Sequence, residues 1–112
     1  MQIPLRTNES IMRQGHANLQ RGWETVGGKL FLTNQRLYFS SHSFNVQSGP
    51  TSIELTNIIS TELCWTKFLG YIPLAPNSLL VQTNGGLDYR FVLHGRQDWA
   101  SAINKCANGA RA

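Results

Sequence analysis

The chain has 112 residues, of which 41% are hydrophobic and 14% are charged, and its formal net charge at pH 7 is +4. This length is typical of one domain that buries roughly 65% of its unfolded surface, and the composition excludes an intrinsically disordered chain. The pI of about 9.5 favours contact with anionic membranes or nucleic acid, although the Lys and Arg residues are scattered and form no basic run.

The N-terminal quarter of the chain is predicted to hold one strand between two irregular segments. Residues 1–8 are expected to be loosely held, because Pro4 cannot donate a hydrogen bond to a sheet. A first strand is predicted over about 11–19, interrupted at Gly15, and residues 20–25 are expected to form a loop. The sequence shows neither a signal-peptide core nor an apolar run of about 20 residues. We therefore expect a protein located in the cytoplasm or peripherally at the membrane.

The stretch from Gly27 to Phe39 predicts a β-hairpin around which the rest of the chain is organised. Four apolar residues alternate within it in two pairs, Leu30 with Leu32 and Leu37 with Phe39. Since side chains alternate between the two faces of a strand, each pair marks one buried face. The polar residues 33–36 separate the pairs and include Asn34, a residue type that tolerates the left-handed backbone of a tight turn.

Four more strands are predicted in the second half of the chain. Their alternating or β-branched residues lie at Ile53 and Leu55, along 58–65, at Leu79 and Val81, and at Leu87, Tyr89, Phe91 and Leu93. The sequence Asn84-Gly85-Gly86 predicts a tight hairpin turn before the last strand, because Asn-Gly suits a backbone with positive φ. Residues 66–77 are predicted to form a loop, because they contain one glycine and two prolines.

The hydrophobic period changes near the C-terminus. Four apolar residues recur at positions i, i+3, i+4 and i+7 of one helical face, namely Trp99, Ala102, Ile103 and Cys106. Asp98 suits the N-terminal end of this helix, and Gly109 is expected to end it. Seven short strands and one amphipathic helix predict a mainly β fold. In it, two antiparallel sheets form a sandwich or partly open barrel, and the helix caps the open end.

Several stretches resemble the GRAM domain family. The strongest is Gly-Lys-Leu-Phe-Leu-Thr-Asn-Gln-Arg-Leu-Tyr-Phe at 28–39, and the weaker ones are Ile53-Glu54-Leu55, Ile58, Tyr89-Arg90-Phe91, Trp99 and Ile103. The resemblance covers about residues 11–106 and implies the pleckstrin-homology (PH) superfold, with seven strands in two sheets and a C-terminal helix. We expect one domain over 1–112 with loose ends at 1–8 and 109–112, similar to the short, free-standing bacterial members.

No local pattern predicts catalysis. Gly27-Gly28-Lys29 is not a P-loop, because Trp23 and Leu30 occupy positions where that motif requires Gly and then Ser or Thr. The histidines at 16, 42 and 94 lack the ligand spacing of a metal site. The cysteines at 64 and 106 are too few for a disulfide framework and are expected to be buried thiols. We expect no enzyme activity, no metal and no cofactor.

The resemblance implies that basic residues near the loop between strands one and two hold a lipid headgroup. In this sequence that region offers Arg21 beside Trp23, with Arg13 on the preceding strand and Lys29 on the following one. Each cation near an anionic surface contributes about 1 kcal/mol. The three cations would therefore give about 3 kcal/mol, which is too little for firm anchoring alone.

The predicted loop at 67–74 is unusually apolar for a loop. Its candidate contact residues are Lys67, Phe68, Leu69, Tyr71, Ile72 and Leu74. Each large apolar side chain contributes roughly 1.5–3 kcal/mol if it becomes fully buried, so this segment outweighs the scattered charges wherever it docks. Two interpretations stay open: the segment folds back as extra core, or it is a patch that inserts into a membrane or binds a partner.

The sequence thus predicts a non-catalytic binding module. Peripheral association with an anionic membrane lipid is the first interpretation, through Arg21 and Trp23 or through the segment 67–74. The alternative is a protein-interaction or self-association module that uses a strand edge or the same apolar segment. Nucleic acid is a less favoured partner, because no basic stripe interleaved with exposed aromatic residues is evident.

Overall fold

Seven antiparallel strands form one sheet and a helix follows them in a computed structural model of the chain, which describes residues 3–21, 24–41, 50–68 and 72–111. The elements are β1 (Ile11–Arg21), β2 (Glu24–Thr33), β3 (Arg36–Ser41), β4 (Thr51–Glu54), a 3₁₀ turn (Leu55–Asn57), β5 (Ile58–Phe68), β6 (Ile72–Thr83), β7 (Asp88–Leu93) and α1 (Arg96–Arg111). The strand order is β4-β3-β2-β1-β7-β6-β5. The predicted strand count and C-terminal helix are confirmed, and the two predicted sheets are joined into one.

The sheet curls over so that its two halves share a core. Phe39 on β3 and Phe91 on β7 have ring centroids 5.9 Å apart, although β2 and β1 lie between these strands in the sheet order. The inward side chains of both halves belong to one buried cluster, which includes the four apolar residues predicted for the first hairpin together with Leu79, Val81 and Leu93. The alternation read from the sequence therefore locates the core correctly.

Helix α1 packs its predicted apolar stripe against this core. Trp99 and Ile103 are buried, Ala107 joins them, and Ala102 and Cys106 are partly buried beside the same cluster. The predicted end of the helix at Gly109 is wrong, because α1 continues to the last turn at residue 111. An isolated glycine costs a helix only about 1 kcal/mol relative to alanine, so a helix can continue through it.

The turn between β2 and β3 differs from the prediction for Asn34. In the described residues the non-glycine residue with positive φ is Asn8 (φ 61°), and Asn34 is not in the left-handed region. Instead, the Asn34 side chain accepts a hydrogen bond from the Ser10 N–H (2.7 Å) and donates one to the Asn8 carbonyl (3.0 Å). Asn34 therefore fastens the segment that precedes β1.

The N-terminal segment is held by a buried ion pair. Arg36 Nε donates to Glu9 Oε2 at 2.8 Å, and their side chains are 8% and 0% exposed. Thr33 Oγ1 also donates to Glu9 (2.7 Å), and Arg36 Nη2 donates to the Pro4 carbonyl (2.8 Å). We call residues 3–10 together with the turn residues 33–36 the N-terminal clasp. Residues 3–8, expected to be loose, are thus tied to the sheet.

The clasp controls the charge state of Glu9. Burial pushes the pKa of the Glu9 carboxyl upward, but hydrogen bonds from Arg36, the Arg6 N–H and Thr33 outweigh burial and lower this pKa to about 2. Arg6, another residue of the clasp, forms an exposed ion pair with Glu54 at 2.6 Å, with both side chains 42% exposed. The buried pair is the contact whose loss would leave an uncompensated charge.

The β6–β7 hairpin has a longer connection than predicted. The Gly86 N–H donates to the Thr83 carbonyl at 3.3 Å, and the positive φ falls on Gly86 (81°) instead of Asn84. Leu87 precedes β7 and is 64% exposed, so its predicted place in the strand pattern is wrong. Four residues, 84–87, connect β6 to β7, compared with two in a tight Asn-Gly turn, and Leu87 therefore lies outside the strand pair.

Candidate functional site

The predicted loop over 66–77 is in large part a strand pair. β5 continues to Phe68 and β6 begins at Ile72, with Lys67 opposite Pro73. β7 pairs with β6 only from Ser78 to Gln82. Within the described chain, residues 72–77 therefore pair with β5 alone. We call residues 65–77 the β5–β6 arm.

The loop prediction for these residues is wrong because it depends on two prolines, and a strand can contain proline where no neighbouring strand pairs with it. Pro cannot donate to a neighbouring strand and is tolerated where a strand side has no partner. Pro73 and Pro76 lie in the part of β6 that β7 does not reach. Among the predicted contact residues of the arm, Leu69 and Tyr71 lie outside the described residues. The side chains of the other four, Lys67, Phe68, Ile72 and Leu74, are likewise outside the description.

The end of the β1–β2 hairpin carries the other predicted contact surface. β1 runs through Gly15 without the predicted interruption and reaches Arg21, which pairs with Glu24. The predicted loop at 20–25 is therefore shorter than expected. Trp23 lies outside the described residues, and so does the side chain of Arg21.

The structure separates Arg13 and Lys29, two residues predicted to share a lipid site. The Arg13 guanidinium carbon lies 5.0 Å from the ring centroid of Trp99, a residue of the central core. Lys29 Nζ lies 5.5 Å from the ring centroid of Phe31, which packs with Ile3 in a small cluster apart from that core. The two cations thus lie on opposite faces of the sheet and do not converge on one headgroup.

Strand direction places the two predicted surfaces at opposite ends of the strands. Because all neighbouring strands are antiparallel, the β1–β2 and β6–β7 connections lie at one end of the sheet. The β5–β6 and β2–β3 connections lie at the other end, where β7 also passes into α1. The arm and the Arg21 region are therefore separate surfaces.

A cleft of about 500 Å³ opens near the C-terminal end of β7. β7 pairs with β1 only over Ala17–Gln20, so the earlier part of β1 runs on without β7 beside it. After β7 the chain turns at Gly95, whose φ of 73° suits glycine, and enters α1. The lining residues are His16, Ala17, Asn18, Gly27, Gly28, Val92, Leu93, His94, Gly95 and Arg96.

Gly28 shows why a glycine pair occurs in the strand beside the cleft. A Cβ at this position would lie 2.2 Å from the Ser40 carbonyl oxygen and 2.7 Å from the Phe39 ring. Because such distances do not occur between real atoms, only glycine lets β2 approach β3 so closely. The close approach of β2 and β3 therefore accounts for glycine at position 28.

The cleft brings together two histidines and an arginine that are far apart in the sequence. His16 lies on β1, His94 follows β7, and Arg96 begins α1. Among the described residues, no Asp or Glu lines the cleft. Nor do the described residues include a group of three or more His, Cys, Asp or Glu side chains that could hold a metal ion. The arrangement suits an anion.

One local pattern in the sequence indicates this cleft. A glycine followed by the start of a helix, with a histidine before it and an arginine after it, marks a strand-to-helix turn that presents side chains with N–H donors. Metal-ligand spacing, which His16 and His94 lack, does not report this signal. Their closeness depends on how β7 is placed beside β1, which no local pattern reports.

Helix α1 also occupies the outer side of the terminal strand β5. Arg96 Nη1 donates to the Cys64 carbonyl at 2.6 Å, and Arg111 Nη1 donates to the Ile58 carbonyl. Between them, Thr61 Oγ1 donates to Asn104 Oδ1 at 3.1 Å. These bonds from both ends of the helix cover the β5 edge against another strand. An interaction through a strand edge is therefore better accommodated elsewhere.

Comparisons with known proteins come from three searches. The GRAM domain family model matches residues 1–103. A search of curated proteins finds no match. Of the helices that the structure describes, none is long and apolar enough to span a bilayer.

Among solved structures, the chain is similar to the C-terminal domain of an unknown protein from Leishmania infantum (TM-score 0.72, 19% identity, 90% of this chain and 86% of that chain). It is also similar to the Vps36 N-terminal PH domain (TM-score 0.69, 16% identity, 95% and 84%). A third similar structure is the Slm1-PH domain in complex with phosphoserine (TM-score 0.58, 13% identity, 86% and 91%). At these identities the likeness shows a PH-like fold.

Proposed function

The chain belongs to the GRAM domain family, and from this premise we propose that it is a non-catalytic binding module that associates peripherally with an anionic membrane surface. Domains with this PH-like fold commonly act as lipid-binding or protein-binding modules. The Slm1-PH domain, solved in complex with phosphoserine, shares the fold. We further propose that residues 1–112 act as one domain.

The observation that carries the proposal is the β5–β6 arm. Residues 72–77 of β6 pair with β5 and, in the described chain, with no other strand. At about 3.3 Å per residue, this unsupported part of the strand is roughly 20 Å long. A strand pair of this kind has fewer neighbours to bury its side chains than the strands inside a sheet.

The composition of the arm suits an interface with a membrane. Residues 67–74 contain one charged residue and five large apolar residues, namely Phe68, Leu69, Tyr71, Ile72 and Leu74. Each apolar side chain contributes roughly 1.5–3 kcal/mol when fully buried. Partial insertion of two or three of them would exceed the contribution of a single cation, which is about 1 kcal/mol. We assign the larger part of the binding free energy to the arm and a smaller part to cations such as Arg21.

Two aspartate substitutions, in connections at opposite ends of the sheet, test the proposal. In the sequence, Leu69 belongs to the segment that connects β5 and β6, and the exposed Leu87 belongs to the β6–β7 connection. Co-sedimentation with anionic vesicles is measured for the wild type, Leu69→Asp and Leu87→Asp, at low and at physiological salt. We expect Leu69→Asp to lose most vesicle binding and Leu87→Asp to retain it.

The remaining outcomes decide between surfaces. Loss of binding in Leu87→Asp alone would assign the contact to the end of the sheet with the β1–β2 connection, the segment that contains Arg21 and Trp23. That result would overturn the assignment to the arm. Absence of vesicle binding by the wild type at both salt concentrations would end the membrane proposal altogether.

A second candidate function follows from the same arm. Its β6 strand has a side that is not paired with β7, and such a side can accept an extended segment from a partner or from a second copy of the chain. Light scattering on the purified protein measures self-association. A dimer that becomes a monomer in Leu69→Asp, with no vesicle binding by the wild type, would favour this protein-interaction function.

A further inference from the structure

The cleft near the end of β7 gathers several groups that favour an anion. The imidazoles of His16 and His94 and the guanidinium of Arg96 can all supply N–H donors. Helix α1 begins at Arg96, and the preceding Gly95 has no side chain with which to cap the first N–H groups. A helix N-terminus adds partial positive charge to these side chains.

Arg13 places a further positive charge beside this cleft. Its Nη2 lies 3.6 Å from the position that a Cβ on Gly95 would occupy. Its Nε is buried and has no hydrogen-bond partner among the described residues. A buried guanidinium nitrogen without a hydrogen-bond partner is costly unless a negative charge lies near. An anion bound at Gly95 would offset that cost.

We propose that this cleft binds a phosphate monoester group, carried by a membrane lipid headgroup or by a soluble molecule. A phosphate monoester has three strong acceptor oxygens and a charge of about −1.5 to −2 at pH 7. Guanidinium and imidazolium donors form charge-assisted hydrogen bonds with such oxygens. The cleft volume of about 500 Å³ lies within the usual range for small-molecule sites, so the cleft accommodates the phosphate with the small group that carries it.

The position of the cleft connects it to the proposed membrane contact, on which the lipid form of this inference rests. Arg96 lines the cleft and donates to the carbonyl of Cys64, the residue that immediately precedes the β5–β6 arm. The cleft and the arm are therefore adjacent at one end of the sheet. With the arm inserted among acyl chains, the cleft lies at the depth of the headgroups, where a phosphate is present.

A titration with a soluble probe tests the cleft without any membrane. The probe is glycerol 3-phosphate at about pH 6, where imidazole side chains gain charge. The readout is the amide chemical shifts of Gly27 and Gly95 in ¹⁵N NMR spectra. The variants are His94→Asn and Arg96→Gln, and the matched control is Lys105→Gln, which removes one positive charge from the exposed side of α1.

We expect saturable shifts at both glycines in the wild type and in Lys105→Gln. In each cleft variant we expect about tenfold weaker binding, since a hydrogen bond to the charged phosphate is lost. His94 is exposed, so its variant tests the cleft even if Arg96→Gln does not fold. Absence of saturable shifts in the wild type, or equal affinity in the wild type and His94→Asn, would overturn the proposal.

Vesicles then distinguish the two sources of phosphate. Phosphatidic acid carries a phosphate monoester, whereas phosphatidylglycerol carries a diester, and the two vesicle types are adjusted to equal surface charge. Preference for phosphatidic acid that is lost in His94→Asn supports the lipid source. Binding of glycerol 3-phosphate without that preference supports a soluble source and leaves the membrane proposal to the arm variants.

Discussion

The β2–β3 turn and the β5–β6 arm lie at the same end of the sheet, but their surroundings differ. The turn is covered by the N-terminal clasp, in which Arg36 and Glu9 form a buried ion pair and Thr33 and Asn34 make further hydrogen bonds. The arm pairs β5 with β6 and, over residues 72–77 of the described chain, has no third strand. One region at this end of the sheet buries its polar groups, and the other carries apolar sequence on a strand pair that β7 does not reach.

This difference separates what holds the fold from what is available for binding. The residues Thr33, Asn34 and Arg36 belong to the stretch that most strongly resembles the GRAM family, and all three fasten the N-terminal segment. Their hydrogen bonds are directed to the chain itself. The strongest family motif in the sequence therefore reports a structural device, and the candidate binding groups lie in the arm and in the cleft beside it.

Loss of Arg36 is expected to have the largest effect on stability. Arg36→Gln leaves the Glu9 carboxylate, whose side chain is 0% exposed, without its cationic partner. Breaking a buried ion pair from one side typically costs about 3–5 kcal/mol. Urea unfolding followed by tryptophan fluorescence measures the change in the free energy of unfolding.

The exposed ion pair between Arg6 and Glu54 supplies the matched control. Arg6 also pairs with a glutamate, through two hydrogen bonds to Glu54 of 2.9 and 2.6 Å, but both side chains are 42% exposed. Water replaces much of that interaction, so Arg6→Gln should change stability far less. Equal losses in Arg36→Gln and Arg6→Gln would contradict the distinction between the buried and the exposed ion pair of the clasp.

Acid is expected to weaken the clasp by a slightly smaller amount. The pKa of Glu9 is about 2 in the folded protein, below the value of about 4.3 in an unfolded chain. Because the folded pKa is depressed, the contribution of Glu9 is fully present above about pH 4.5 and is lost as the pH falls toward 2. The loss should reach about 3 kcal/mol.

Comparing the wild type with Glu9→Gln isolates this contribution. The pKa of Glu54 is also lowered, through its hydrogen bond with Arg6, so Glu54 adds acid sensitivity of the same sign to both proteins. Unfolding free energies measured from pH 6 down to pH 3 should converge between the two proteins as the pH falls. A constant difference over this interval would show that Glu9 does not titrate through the clasp.

The fold was predictable where burial repeats at short range. Leu30 and Leu37, two residues of the first hairpin, and Trp99 and Ile103 on the helix all lie in the core, as their spacing indicates. The clasp was not predictable in this way, because Glu9 and Arg36 are 27 residues apart and neither carries a local signal of burial. A charged residue in a short sequence window reads as a solvated one.

The candidate site was predictable only in part. Composition marked the apolar segment at 67–74, but its two prolines suggested a loop, because the effect of proline depends on whether the neighbouring strand extends beside it. The cleft joins His16 and His94 from β1 and the end of β7. Their proximity is set by strand order and register, which the residues near each histidine do not encode.

The smallest expected change in stability belongs to the arm. If the arm stands apart from the core, Leu69→Asp should alter the free energy of unfolding by no more than about 0.5 kcal/mol, as for other exposed positions. Ile59→Asp, at an apolar residue of β5 that is 59% exposed, is the matched control measured by the same urea unfolding. If the segment instead folds back as extra core, Leu69→Asp should cost at least about 1.5 kcal/mol more than this control, because it would bury a charge and lose apolar burial. That result would make the arm part of the structure that the clasp maintains, and would remove the contrast on which the membrane proposal depends.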